Sequence, residues 1–408
     1  MDILKIRNDF PVLRSNPNLA YLDSAAMALK PDSVIDAVDD YYRRLGVNVH
    51  RGVYGLSYEA TDLYEEARET IAKFINASFD EVVFTRGASA SLNLVAQSYG
   101  MSFIEEGDEV ITTPLEHHSS HMPWINVCQK KKATLKYVPL DKDGRITVEA
   151  FKSVLTEKTK VVAITHVSNV MGYITPIKEI IKLAHEVGAI VSLDGAQSVP
   201  HMAVDVKDLD CDFLSFSGHK LCGPTGIGIL YGKYDLLLKT SSISYGGGMN
   251  AKFDNCQNML LKKPPYRFEG GTPAIAEVIG FARAIDYLNE IGMDNIHNYE
   301  KELKEYAVKR LKELDNVIIY NDSNESGIIT FNIKDVFCQD AGTFFNSKGI
   351  AVRSGHHCAK LLPNHLHVIG TVRASLYFYN TKEEIDIFVE TCKHGGDFLD
   401  AFFKWSND

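Results

Sequence analysis

The chain has 408 residues, 43 Lys+Arg against 53 Asp+Glu, and a formal charge of −10; 45% of its residues are hydrophobic and 24% charged. That composition excludes disorder, collagen and coiled coil as the main architecture, and the length allows about two to four domains. No apolar run approaches the ~18 residues of a membrane helix, the first residues lack a signal peptide's apolar core, and no dense basic block suits nucleic acid, so neither membrane nor nucleic acid is expected as a partner.

In chain order, residues 1–20 read as a short N-terminal arm and 21–23 as a short strand. Pro31 then opens a helix with Val34, Ile35, Val38, Tyr41, Tyr42 and Leu45 on one face, and a second helix spans about 57–76. From residue 81 short apolar runs alternate with helical segments. Strands are predicted at 81–84, 108–113, 135–140, 161–166, 189–193, 213–216 and 226–231. Helices are predicted at 87–99, at 118–132, and after a cap at Thr175 and Pro176 up to Gly188. Buried strands alternating with helices make a mainly parallel α/β sheet. Residues 241–273 have little periodicity and many Gly and Pro, as functional or interface loops do. Beyond 290, strands at 317–320, 327–333, 350–353 and 371–378 mix with helices in a smaller α+β domain. Its last helix starts with Thr381 and Glu384 in capping-box spacing. The expected division is an arm over 1–20 packing on the small domain, a large domain over 21–290, and a small domain over 291–408 carrying a Cys358 loop.

Seven cysteines stand at 128, 211, 222, 256, 338, 358 and 392. The number is odd and the spacing scattered, which points to free thiols in a reducing cytoplasm. Cys211, Cys338 and Cys392 fall in strand or helix patterns, as small buried apolar residues do.

Several chemistry-bearing residues follow strands of the large domain. Lys220, in Ser217, Gly218, His219, Lys220, could become a Schiff-base nucleophile if desolvated. Asp194 ends a buried strand, where open α/β sheets place ligands, and could pair with a protonated pyridine nitrogen. Arg86, Gly87, Ala88 and Ser89 start a helix whose bare amides suit a phosphate. His117, after Glu116, could stack on an aromatic cofactor. Each has a plain alternative: a lysine on a surface turn, an N-cap aspartate, an empty helix start, a structural histidine. Together they form the set a pyridoxal-phosphate site needs.

The motif order around Asp23, His50, Arg86, Glu116, Asn169, Asp194, Lys220, Thr272, Cys358 and Arg373 resembles class V (fold-type I) aminotransferase-like enzymes. Within them, the run His356, His357, Cys358, Ala359 resembles the group II cysteine desulfurases of the SUF iron–sulfur assembly system. The resemblance implies a homodimer in which Lys220 holds pyridoxal 5′-phosphate covalently, Asp194 pairs with the ring nitrogen, Gln197 bonds the phenolic oxygen and His117 stacks on the ring. It places Ala88, Ser89, Ser217 and His219 at the phosphate, with Thr272 reaching over from the partner subunit. Asn169 and Arg373 would hold the carboxylate of L-cysteine, with His50, Arg51 and Arg353 as second contributors. Cys358 would take the sulfur as a persulfide, leaving alanine, and pass it to an acceptor protein of the SUF system. Ala88 stands where a hydroxyl residue is frequent, and Cys222 where an aromatic is; Cys222, two residues from Lys220, competes as sulfur carrier. A selenocysteine lyase or another class V activity is the same-class alternative. A non-catalytic zinc-binding or sulfur-scaffold protein built on His356, His357, Cys358, His365 and His367 is the other, although these lack the usual ligand spacing and no metal is expected.

Overall fold

The computed structural model describes residues 1–254 and 258–395, so Cys256 lies outside the described residues. Short β-branched and aromatic runs build a seven-stranded sheet in the order Val82–Thr85, Gly228–Gly232, Phe213–Ser217, Ile190–Asp194, Thr159–Thr165, Glu109–Thr112, Thr134–Tyr137. Neighbours from Phe213–Ser217 to Thr134–Tyr137 are parallel, and Gly228–Gly232 runs against both of its neighbours. Every residue of Ile190–Asp194, Phe213–Ser217 and Gly228–Gly232 is buried, because helices cover both faces. The fold is the expected α/β architecture with a mainly parallel sheet. The carboxyl ends of the parallel strands lie along one edge, and the chain leaves them carrying His117, Asn169, Gln197 and Lys220.

A second, antiparallel sheet orders Val317–Ile319, Ile328–Ile333, Thr371–Ser375 and Arg353–Gly355. Leu303, Ala307, Phe331, Phe345 and Phe388 pack a core on it that is separate from that of the large sheet. The capping box closes as expected: Thr381 Oγ1 accepts from the Glu384 amide at 3.3 Å, and Glu384 Oε2 from the Thr381 amide at 3.1 Å.

Several local expectations are corrected. Ile35 and Tyr42 point to solvent, since each is one residue, or about 100°, round the helix from the buried Val34 and Tyr41. Thr175 does not cap the following helix; its hydroxyl donates to the Thr165 carbonyl at 2.7 Å, and Pro176 occupies the cap position. A helix at Val148–Val154, too short for its periodicity to show, starts at Thr147. The expected 350–353 strand is two strands: Ile350–Ala351 pairs in parallel with Ala20–Tyr21, and Arg353–Gly355 pairs with Thr371–Ser375. Residues 241–273 include a hairpin of Asn250–Phe253 with Met259–Leu261, exposed enough to leave no alternation in sequence. Before residue 20 the chain forms two short helices, Ile3–Arg7 and Pro11–Ser15. Arg7 pairs with Glu384 at 2.9 Å, and Phe10 packs on Tyr287, Phe378 and Tyr379. Among the described residues no helix is long and apolar enough to cross a membrane.

Candidate active site

Lys220 ends the Gly218–Lys220 turn that follows the Phe213–Ser217 strand. Its side chain is half-buried on the cavity wall, and desolvation lowers its amine to about 8 against the opposing pull of Asp194; Arg373 and Arg353 lower it further. Asp194, at the end of the adjacent strand, accepts from the Ala196 amide at 3.0 Å, and burial pushes its carboxyl up. Beneath them lies Glu116. Its Oε1 accepts from the Thr165 amide and the Thr113 hydroxyl, both at 2.9 Å, while Oε2 is buried without a partner. Burial first, then the Asp194 charge, raises the Glu116 carboxyl to about 8.

The helix start Ala88–Val95 forms the opposite wall. A Cβ on Gly228 would lie 2.4 Å from the Gly87 Cα, so only glycine lets these two backbones meet. That approach lets Ser217 Oγ accept from the Ala88 amide at 2.7 Å. Ser89 and Ser119 share a hydroxyl–hydroxyl bond of 2.6 Å. His117 caps the His118–Lys131 helix, its Nδ1 accepting from the Ser119 amide at 3.1 Å; this leaves the ring proton on Nε2. Burial, then the nearby cations led by Lys220, lower His117 to about 4, so its ring is neutral at pH 7.

Gln197 donates from Nε2 to the Ala25 carbonyl at 2.7 Å, and its Oε1 is buried with no partner. Arg373 donates to the Asn169 carbonyl at 2.8 Å and to Asp23 Oδ1 at 3.0 Å, leaving its buried Nε unpaired. Asn169 Nδ2 donates to the His357 carbonyl at 2.8 Å. Lys220, Asp194, Gln197, His117, Ala88, Ser89, Ser217, His219, Asn169, Arg353 and Arg373 all border one cavity. His50, Arg51 and Thr272 do not. They border a second cavity with Tyr64, Lys262 and Glu269.

Cys358 is partly exposed, whereas Cys128, Cys211, Cys222, Cys338 and Cys392 are buried. Its thiolate would be near enough to support the charges of Lys220 and Arg373. Cys222, the competitor in sequence, is packed in the apolar core, and burial pushes its thiol up to about 12; neither thiol borders the cavity, but His357, next to Cys358, does. The Cys358 segment is not the free loop its surroundings in sequence suggest, since hydrogen bonds from His118 and Asn169 tie it down. The histidines around it diverge: His357 Nε2 meets Thr371, and His365 lies beside Gly144. Among the described residues, no group of three or more His, Cys, Asp or Glu could hold a metal ion. Sequence reasoning gave no separate role to Asp23, which pairs with Arg373, or to Glu116 and Ser119; the only signal was their position just after strands.

The aminotransferase class-V family matches residues 20–388. The chain belongs to that family. It is 52% identical over 390 residues, 95% of this chain and 96% of the relative, to a probable cysteine desulfurase of Halalkalibacterium halodurans. Among solved structures it resembles a cysteine desulfurase of Thermococcus onnurineus, with a TM-score of 0.92 at 39% identity, covering 96% of this chain and 97% of that one. It also resembles the cysteine desulfurase CsdA of Escherichia coli, with a TM-score of 0.91 at 35% identity, covering 97% and 99%.

The residues present fit the family's cofactor, pyridoxal phosphate. A half-buried amine follows one strand and a buried carboxylate ends its neighbour, and the orphaned Gln197 Oε1 and Arg373 Nε belong to residues of the same wall, where a bound polar molecule would satisfy them. Ser89, with the first amides of its helix, suits the phosphate.

Proposed function

We propose that the protein is a pyridoxal-phosphate-dependent cysteine desulfurase that converts L-cysteine to L-alanine and loads the sulfur on Cys358. The observation that carries this reading is the Lys220–Asp194 pair on one cavity, with Cys358, the one partly exposed thiol among the described residues, within electrostatic reach of Lys220. Whole-length relatives named cysteine desulfurase support it.

When bound, pyridoxal phosphate supplies an electron sink that acidifies the Cα–H of an attached amino acid. Lys220 would hold the group covalently, and Asp194 would stay ionised by pairing with the protonated ring nitrogen. Ser89, His219 and Ser217, whose hydroxyl the Ala88 amide orients, would serve the phosphate, and Gln197 the ring oxygen. Arg373 and Asn169 face the substrate carboxylate, with Arg353 at the rim; a guanidinium held by Asp23 presents two parallel donors to it. Once the substrate amine has displaced it from the group, the freed Lys220 amine, lowered to about 8 by burial, would take the Cα proton. His117, neutral with its proton on Nε2, would stack on the ring and could hand a proton on. Cys358 as thiolate attacks the substrate sulfur: the S–S bond forms, the C–S bond breaks, and its electron pair stays on carbon, where protonation gives alanine.

The working unit we propose is a homodimer. In one chain His50, Arg51 and Thr272 lie away from the first cavity, beside exposed apolar side chains such as Val53, Tyr245 and Leu260. A second copy covering that face would bring Thr272 to the phosphate and His50 and Arg51 to the substrate. We read the chain as an arm over 1–20, a large domain over 21–290 and a small domain over 291–408, a division that the two separate sheets support. The acceptor of the Cys358 sulfur is read as a protein of SUF-type iron–sulfur assembly in the cytoplasm. An absorbance spectrum tests the core of this reading. The purified protein should show the band of a lysine-bound cofactor, and L-cysteine should shift it while alanine accumulates. A colourless protein that releases no alanine would refute it.

A further inference from the structure

Cys358 sits on a turn whose own bond, from the Ala359 amide to the His356 carbonyl at 2.9 Å, closes it over a strained central pair. His357 and Cys358 are consecutive non-glycine residues in the left-handed region, with φ of 51° and 56°. L residues avoid that region, and such a pair persists only where its surroundings fix it. On one side Asn169 Nδ2 holds the His357 carbonyl, and the His357 ring is anchored on Thr371. On the other side a single residue provides two anchors. The His118 amide donates to the Cys358 carbonyl at 2.8 Å, and His118 Nε2 accepts from the Lys360 amide at 3.3 Å. Unlike His117, His118 does not border the cavity. It is the first residue of the His118–Lys131 helix, so its amide is one of the helix-start donors with no partner inside the helix.

We propose that His118 is a positioning residue for sulfur transfer: its amide and its imidazole hold the Cys358 turn where the thiol meets the substrate sulfur. This rests on the reading of Cys358 as sulfur acceptor. His118 touches neither the cavity nor the reacting atoms, so cysteine binding is independent of it, and only sulfur capture responds to its loss.

The helix start permits a graded test. Proline is tolerated at the first helical position, and His117, with ψ of 146°, has the extended backbone that a following proline requires. His118→Pro therefore removes both anchors while the helix and the His117–Ser119 cap remain. His118→Ala removes only the imidazole, and His118→Gln keeps an acceptor at similar reach. On the holoenzyme without cysteine, the rate at which iodoacetamide alkylates Cys358 is read by peptide mass spectrometry. After L-cysteine is added, the gain of sulfur on Cys358 is followed beside the change in cofactor absorbance. His118→Gln is expected to match the unaltered protein. His118→Ala should alkylate about fivefold faster, the factor a net hydrogen bond carries, and His118→Pro faster still. Sulfur gain should fall in the same order while the absorbance response to cysteine is retained. Alkylation of the Ala and Pro variants at the original rate, a Gln variant as altered as Ala, or loss of the absorbance response together with sulfur gain would each overturn the proposal. If His118→Pro fails to fold, Ala against Gln decides. If the unaltered protein gains no sulfur on Cys358, the desulfurase reading fails, while the alkylation series still decides whether His118 holds the turn.

Discussion

Two carboxyl groups under the candidate cofactor pocket have opposite assignments. Asp194 has Lys220 nearby and a ring cation to meet, whereas Glu116 has the Asp194 charge to oppose it. Asp194→Asn should retain cofactor but slow Cα deprotonation by orders of magnitude, because a neutral amide does not keep the ring nitrogen protonated; stopped-flow absorbance would measure this, and unchanged turnover would count against the electron-sink role. Glu116 should appear in stability. Unfolded, its carboxyl ionises near about 4.3; folded, it holds its proton to about 8. The folded state therefore binds the extra proton across that window, and stability falls as pH rises through it. Glu116→Gln should flatten this fall, with a gain in Tm over the unaltered protein that is larger at pH 8 than at pH 5.5. Lys220 and Asp194 were legible as residue types after strands; Glu116 was not singled out, since its burial under Asp194 has no local signature. The pairing of Arg373 with Asp23 was not, because it joins residues 350 positions apart.

At the scale of elements, the large sheet was readable because its strands are continuous apolar runs between turn signals, and their ends fixed where the chemistry lies. The 241–273 stretch was not, because its hairpin is exposed and its anchors are distant in sequence: Tyr266 on Glu65, Arg267 on the Leu238 carbonyl and, most buried, an ion pair of Glu269 with Arg68. Arg68 donates to Glu269 through two nitrogens, at 2.7 and 2.8 Å, and lies over the Phe84 ring with its guanidinium carbon 4.2 Å from the centroid. The Phe84 amide also donates to Glu269, at 2.8 Å. This pins the segment bearing Thr272 to the Gly55–Phe74 helix. Glu269→Ala leaves a fully buried guanidinium with only Glu65 as counter-charge, and should cost about 3–5 kcal/mol. Chemical denaturation reads that loss; a cost under about 1 kcal/mol, the range of an exposed ion pair, would show that the pair is not what holds the segment.

At the scale of the whole molecule, the proposed homodimer adds a second copy over the face that carries His50, Arg51 and Thr272. The resemblance already assigned Thr272 to the partner subunit, but periodicity describes one chain's core, so that His50 and Arg51 border the same second cavity away from Lys220 became visible only in three dimensions. The homodimer reading expects a sedimenting species of twice the chain mass at assay concentration, with dilution to monomer removing turnover; an active monomer contradicts it. The reading as a whole depends on where the substrate sulfur goes. The central measurement is peptide mass spectrometry after one turnover with L-cysteine in the absence of reductant. The account predicts one added sulfur on the peptide containing Cys358, and sulfur on Cys222 or on no cysteine at all would contradict it.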